Sequence, residues 1–383
     1  KQTMQLNKLK YIIESSKRIV LKVGSSLLID EKTGEINLVW LDSFAKDLLF
    51  FLKQKKNILV VSSGSIALGR KQLNLKENLS LDEKQAAAAV GQINLSHAWK
   101  EILKSLNINS AQILLAPDDT ETRRKHLNAR ATLDKLLQLD VVPVINENDT
   151  VSTQEIKYGD NDRLAARVSQ MCSADLLILF SDIDGLYSAD PTKNKNKKFI
   201  DIVDNITDEI ENMAGPSNTS FSSGGMITKI EAARIATNAG CHVIISNGKL
   251  NNPLAKLYSE KGKGTLFTAN RKPKNSRKLW ISGALQVKGK IYIDQGAENA
   301  ITRGNSILPA GIVKTEGKYN KGDLISILNI EGKILGKGLS HYSNIEVNLV
   351  KGLQSDKIET ILGYRGKDEI IHKDDFVLEN EMI

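Results

Sequence analysis

Short runs of Val, Ile and Leu recur along the first 250 residues, and amphipathic stretches separate them. Ile19–Val23, Ile58–Val61, Ile113–Leu115, Val141–Ile145, Leu176–Phe180 and Val243–Ile245 are each three to five residues long and almost wholly aliphatic. Such runs predict strands buried on both faces. Between the first two, Leu38, Leu41, Ala45, Leu48 and Leu52 recur at spacings of three and four, which predicts a helix with one apolar face. Gln85 to Leu106 predicts a second, alanine-rich helix, and a third begins near Met226 with Ile230 and Ala233 on one face. This βαβα alternation places the segment in the α/β class, with a largely parallel sheet covered by helices on both sides.

The texture changes after about Gly248. Gly262 to Lys278 is polar and basic, with the Lys-Gly pairs 261–262 and 263–264 at its start, and it reads as a linker. Beyond Trp280 come short strands broken by glycine turns, at Lys290–Asp294, Gly311–Lys314, Leu324–Leu328 and Lys333–Lys337, with a hairpin-like connection over Asn329–Gly332. That predicts a small antiparallel β module with its own core. The expected organisation is an α/β domain over 1–262, a linker over 263–279, and a β-rich domain with a tail over 280–383. No internal repeat or low-complexity tract interrupts it.

Composition narrows this picture only a little. Hydrophobic residues at 41% and charged residues at 26% suit a globular chain and argue against disorder. No apolar run approaches the roughly 20 residues of a membrane span, and the basic N-terminus lacks the apolar core of a signal peptide. Cys172 and Cys241 are too few and too isolated for a disulfide framework or a metal site, and read as buried thiols in a reducing, cytoplasmic setting. The net charge of +8 invites a nucleic-acid reading. From Ser276 onward, however, 15 Lys and Arg stand against 14 Asp and Glu, so +7 of the excess lies in the first 275 residues. The run Lys193, Lys195, Lys197 and Lys198, interleaved with Asn, reads as a solvated loop.

The candidate chemistry lies at strand ends, where open parallel sheets bind their ligands. Neither a Walker loop nor a dinucleotide fingerprint occurs. His372-Lys373-Asp374-Asp375 lacks the companions of a protein-kinase catalytic loop. In Val20-Leu21-Lys22-Val23-Gly24-Ser25-Ser26, a lysine inside a buried strand either faces an anion or snorkels from an edge. Val61-Ser62-Ser63-Gly64-Ser65 runs a strand into a turn that opens a helix, suited to binding an anion or simply to capping. Asn146-Glu147-Asn148-Asp149 and Gly159-Asp160-Asn161-Asp162 bring amides and carboxylates together. They suit a zwitterion, while turns and a calcium loop are the competing readings, the latter without EF-hand spacing. Ser181-Asp182 ends another strand, and Ser222-Ser223-Gly224-Gly225-Met226-Ile227-Thr228-Lys229 sets small residues before a helix with a lysine one turn inside it. That last arrangement is a phosphate cradle reinforced by a point charge.

With these segments in this order, the chain closely resembles the glutamate 5-kinases of the amino acid kinase superfamily over nearly its whole length. The resemblance rests most on Val144-Ile145-Asn146-Glu147-Asn148-Asp149, Gly159-Asp160-Asn161-Asp162 and Gly224-Gly225-Met226 through Lys229. Ala89-Val90-Gly91-Gln92 and Leu127-Asn128-Ala129-Arg130 match as well, and a C-terminal PUA domain matches from about Ala284 to Glu346. The resemblance implies an αβα sandwich followed by a β-rich PUA domain, and ATP-dependent phosphorylation of the side-chain carboxylate of L-glutamate, the first step of proline synthesis. It implies that Lys22 and Lys229 meet the nucleotide phosphates and that Asp162 orients them. Ser63, Gly64, Asp149 and Asn161 would bind glutamate. Ser181, Asp182, Ser223, Gly224, Gly225, Met226, Ile227, Thr228 and Lys229 would complete the ATP site. Where the family usually has Thr-Asp and Gly-Thr, this chain has Ser181-Asp182 and Ser222-Ser223, which keep a hydroxyl.

The residue inventory agrees with that chemistry. A glutamate side chain with a pKa of about 4.3 is already ionised at neutral pH and needs no general base, and no histidine lies near the strand-end segments that carry the candidate chemistry. Two lysines, with Mg²⁺ carried by ATP and no protein metal site, supply the charge for in-line transfer. The resemblance also implies proline as feedback inhibitor and a homo-oligomer, without membrane attachment. No reductase domain follows, so a fused two-step synthase is not expected. The rival readings are an acetylglutamate kinase or aspartokinase, and an RNA-binding protein acting through the C-terminal domain. The near-neutral charge of that domain gives RNA little electrostatic support.

Overall fold

A computed structural model describes residues 2–30, 32–76, 78–151, 161–189, 198–214, 225–259, 262–270 and 287–379. Two compact units divide the chain, Lys1–Pro273 and Lys274–Ile383. In the first, strands β1 (Arg18–Val23), β2 (Asn57–Ser62), β3 (Asn109–Leu115), β4 (Val141–Glu147), β5 (Leu176–Ser181), β6 (Ile202–Val203), β7 (His242–Asn247) and β8 (Thr265–Phe267) form one sheet. Its order is β3-β4-β2-β1-β5-β7-β8-β6. The six strands from β3 to β7 run parallel, whereas β8 is antiparallel to β7. The chain steps outward on opposite sides of β1, so the crevice at the carboxyl ends of β1, β2 and β5 is the switch point of the sheet.

Strand periodicity sorts the core into two layers. Ile19, Leu21 and Val23 face one cluster with Trp40, Phe44, Leu95 and Trp99, on the helices Leu38–Lys53 and Leu81–Ser105. Val20, Leu59, Val61 and Leu177 face the other, with Leu164, Val168, Ile230 and Ala233 on the helices Asp162–Met171 and Met226–Asn238. Lys22 shares the parity of Val20, so it leaves β1 on the side covered by these last two helices. Cys172 and Cys241 are buried free thiols, pushed up by that burial, Cys172 to about 11. Among the described residues no helix is long and apolar enough to cross a membrane.

Some expectations are corrected. The alanine-rich helix starts at Leu81, four residues earlier than expected, because Ser80 and Glu83 form a capping box. Leu38 is exposed in the first turn of its helix, while Leu41, Ala45 and Leu48 are buried. The strand at Ile113–Leu115 extends to Asn109–Leu115 and is an edge strand in which only Leu115 is fully buried. Within the stretch read as a linker, Thr265–Phe267 is the buried strand β8; residues 271–278 lie outside the described residues.

In the second unit, β9 (Gly289–Ile293), β10 (Ile312–Gly317), β11 (Leu324–Asn329), β12 (Ile334–Leu339) and β13 (Phe376–Leu378) form a sheet in the order β10-β9-β11-β12-β13. The β11–β12 connection is the expected hairpin over Asn329–Gly332, with Gly332 at φ 85°. The module is not wholly antiparallel, because β11 pairs with β9 in parallel. Ile291, Ile327, Tyr342, Val347 and Phe376 are among the residues of its separate core.

Candidate active site

Burial of two lysines around one carboxylate defines the centre of the crevice. Asp162, the first residue of its helix, is fully buried. Its Oδ1 lies 2.9 Å from Nζ of Lys22, and its Oδ2 lies 3.0 Å from Nζ of Lys229. The two lysines are 1% and 3% exposed, so all three charges sit away from water. Burial alone would push the Asp162 carboxyl up, but the adjacent Lys22 and Lys229 reverse this and hold it below the ordinary carboxylate value. Thr228, one residue before Lys229, donates its hydroxyl to the same carboxylate at 3.2 Å. Three segments far apart in sequence therefore converge on one anion, from the second-to-last residue of β1 and from two helix N-termini. Together the three charged groups carry +1.

Beside this triad lies a network of neutral polar groups. Asn161 sits at φ 56° and donates Nδ2 both to the Ser62 carbonyl, at 3.0 Å, and to Oδ1 of Asn146, at 2.7 Å. Asn146, near the end of β4, donates Nδ2 to Gln92 at 2.8 Å and to the Ser65 hydroxyl at 3.3 Å. Ser65 in turn donates to Asp149 Oδ2 at 3.2 Å. Gly64, at φ 117°, is the N-cap of the helix Ser65–Gln72, a left-handed conformation that favours glycine. No side chain caps that helix. Ser63 is 8% exposed, and its hydroxyl has no partner among the described residues. A buried hydroxyl is costly to leave unpaired, so a ligand atom is the natural partner here. The capping explanation for these serines is thereby removed.

On the other side of β1, Ser181 ends β5 and donates to Asp182 at 3.0 Å. Asn247, at the end of β7, donates to the Asp182 carbonyl and to Asp184. Lys263 pairs with Asp184 at 2.8 Å and lies over the Phe199 ring. Asp184 is held below its ordinary value chiefly by that lysine. Gly225 caps the helix that carries Met226, Ile227, Thr228 and Lys229, so the first turn of this helix faces the same crevice as the triad. Ser223 and Gly224 lie outside the described residues.

The sequence thus named the two lysines, Asp162, Ser63, Gly64, Asp149 and Asn161, and the structure gathers them at adjoining strand and helix ends. The sequence does not single out Ser65 as a functional group, and Gln92 stands in it only as part of a matching segment. Nothing in the sequence points to Asn247 or Lys263. For Ser65 the available signal was the small-residue turn itself. Asn247 and Lys263 give no local signal, because their contacts with Asp182 and Asp184 come from the pairing of β7 with β5 on one side and with β8 on the other.

Comparison with known proteins adds an independent line. The amino acid kinase family model matches residues 17–247, and the PUA domain model matches residues 289–362. The chain is similar to proteins named glutamate 5-kinase along almost its whole length. It is 49% identical to that of Paramagnetospirillum magneticum over 96% of this chain and 99% of the relative. Identity is 50% to that of Bradyrhizobium diazoefficiens, over 94% and 97%. It is also 50% to that of Agrobacterium fabrum, over 96% and 94%.

Proposed function

Since the chain belongs to the amino acid kinase family, in the branch of the glutamate 5-kinases, we propose that it transfers the γ-phosphoryl group of ATP to the side-chain carboxylate of L-glutamate. The observation that carries this reading is the buried pair Lys22 and Lys229 held on Asp162. A carboxylate nucleophile is already ionised at neutral pH, so the protein has no proton to remove. What it must provide is alignment and positive charge. As the bond from the γ-phosphorus to the bridging oxygen breaks and one to the glutamate carboxylate forms, negative charge spreads over the transferred group and ADP. Two ammonium groups in a dry site stabilise that charge far better than they would in water. Asp162 keeps both pointed inward and lowers their mutual repulsion. Mg²⁺ arrives as part of the nucleotide substrate.

On this reading Asp149 and Asn161 receive the substrate ammonium, and Ser63 with the turn at Gly64 takes a carboxylate. Ser181, Asp182 and the segment Ser223–Lys229 hold the nucleotide. The chemistry belongs to the α/β unit, whose sheet extends through β8 at Thr265–Phe267, and the second unit carries the PUA domain and tail. The enzyme acts in the cytoplasm as a homo-oligomer and is inhibited by proline. Incubation with ATP, Mg²⁺, glutamate and hydroxylamine tests the reaction, because hydroxylamine traps acyl phosphates. Formation of γ-glutamyl hydroxamate from glutamate, and not from aspartate or acetylglutamate, is the expected result. Absence of hydroxamate with every acid would overturn the reading.

A further inference from the structure

We infer that Gln92, outside the triad and the substrate-contacting set, is a positioning residue that orients the amide of Asn146, and through it that of Asn161, so that the Asn161 oxygen, not its nitrogen, faces the substrate ammonium. This rests on the glutamate kinase reading and refines how that site recognises an amino acid.

An asparagine amide can present either end, and the wrong end repels a cation. Both N–H bonds of Asn161 are committed, to the Ser62 carbonyl and to Asn146 Oδ1, so its own oxygen is the atom left for a ligand. Asn146 is held in turn. Its Oδ1 also accepts from the Glu147 backbone N–H at 2.8 Å, and its Nδ2 is taken by Gln92 and Ser65. Two backbone groups and one strong side-chain acceptor therefore set the polarity of the chain of amides. That acceptor is Gln92 Oε1, at 2.8 Å, against 3.3 Å for the Ser65 contact. Gln92 cannot reverse freely either, because its Nε2 donates to the Ser96 hydroxyl at 3.1 Å.

The backbone delivers Gln92 to this place by an unusually close helix crossing. At Gly91 an added Cβ would stand 1.8 Å from the Ser65 carbonyl oxygen, and at Gly69 one would stand 1.7 Å from that of Ala87. Two glycines thus let the helices Ser65–Gln72 and Leu81–Ser105 touch main chain to main chain. The next residue after Gly91 is then in reach of β4. A cavity of about 150 Å³ lies behind the contact, lined in part by Gln92, Ser96, Trp99 and Asn146. Without the Gln92 oxygen, the Asn146 amide therefore has space beside it in which to turn.

The test uses steady-state kinetics of the full chain. Gln92→Met keeps the length and removes the acceptor; it should raise KM for glutamate about tenfold, the scale of one buried hydrogen-bond partner lost. Values of kcat and of KM for ATP should stay within about twofold, because the triad is untouched. Gln92→Glu keeps an oxygen toward Asn146, while the Ser96 hydroxyl turns to donate, and it should return KM to near the wild-type value. Ser96→Ala, a milder change that decides the matter should the methionine variant not fold, should raise the same KM by a few-fold alone. An unchanged KM in Gln92→Met, a matching fall in kcat, or a glutamate variant as impaired as the methionine one would overturn the inference. A wild-type chain that yields no hydroxamate would overturn the kinase reading itself, a separate result.

Discussion

Replacing Asp162 by Asn keeps the shape of the site and removes its one central anion. The carboxylate is fully buried, 2.9 and 3.0 Å from two ammonium nitrogens that are themselves buried. At an effective dielectric of ~20, each contact gives roughly 5–6 kcal/mol of gross attraction. Most of this offsets the cost of taking three charges out of water. Removing the shared partner leaves two buried cations facing each other, a loss of about 3–5 kcal/mol. For a unit of this size, 1 kcal/mol corresponds to roughly 2–4 °C, so D162N should melt about 6–20 °C below the wild type. Bound phosphates replace the missing anion, so ADP should raise the melting temperature of the variant more than that of the wild type. The pH dependence follows from the sign of the shift. Because the folded carboxyl is held below its unfolded value, its contribution is full above about pH 4 and is lost only as the pH falls through the lower folded value. The gap in melting temperature should therefore be constant from about pH 8 to pH 5 and close in acid. Thermal melts with and without ADP across this range measure all three. Equal melting temperatures and equal ADP shifts would refute the claim that the triad is electrostatically coupled.

Two further changes probe the same crevice from different sides. Lys229→Met should lower kcat by about 100-fold or more while KM for glutamate moves only a few-fold, since the lysine serves the transferred group; hydroxamate formation measures it, and unchanged turnover would remove Lys229 from the mechanism. Gly91→Ala forces a methyl against the Ser65 carbonyl and should cost about 1–3 kcal/mol of stability. It should also weaken glutamate binding, which parallel melts and kinetics would detect, and wild-type behaviour in both would show that the helices part without consequence.

What could be read from the sequence follows the range of each interaction. The strands β1, β2, β4, β5 and β7 are interior strands whose largely aliphatic runs announce burial on both faces. β6 and β8 are two and three residues long, too short for any period, and exist because they pair with each other and with β7. The site divides in the same way. Lys22 was visible because a charge inside an apolar run is costly unless something answers it, and Asp162 because it stands in a cluster of amides and carboxylates that matches the family, although which groups answer each other is fixed only by the sheet. The Gln92 relay was not visible, since it depends on two helices meeting at their backbones. Yet the sequence held a clue to it. Gly91 interrupts a long run of good helix formers, in the middle of a 25-residue helix, where glycine costs about 1 kcal/mol relative to alanine. A helix that tolerates such a residue is using the missing side chain for close contact. The polar side chain next to it, Gln92, is then the first place to look for what that contact serves.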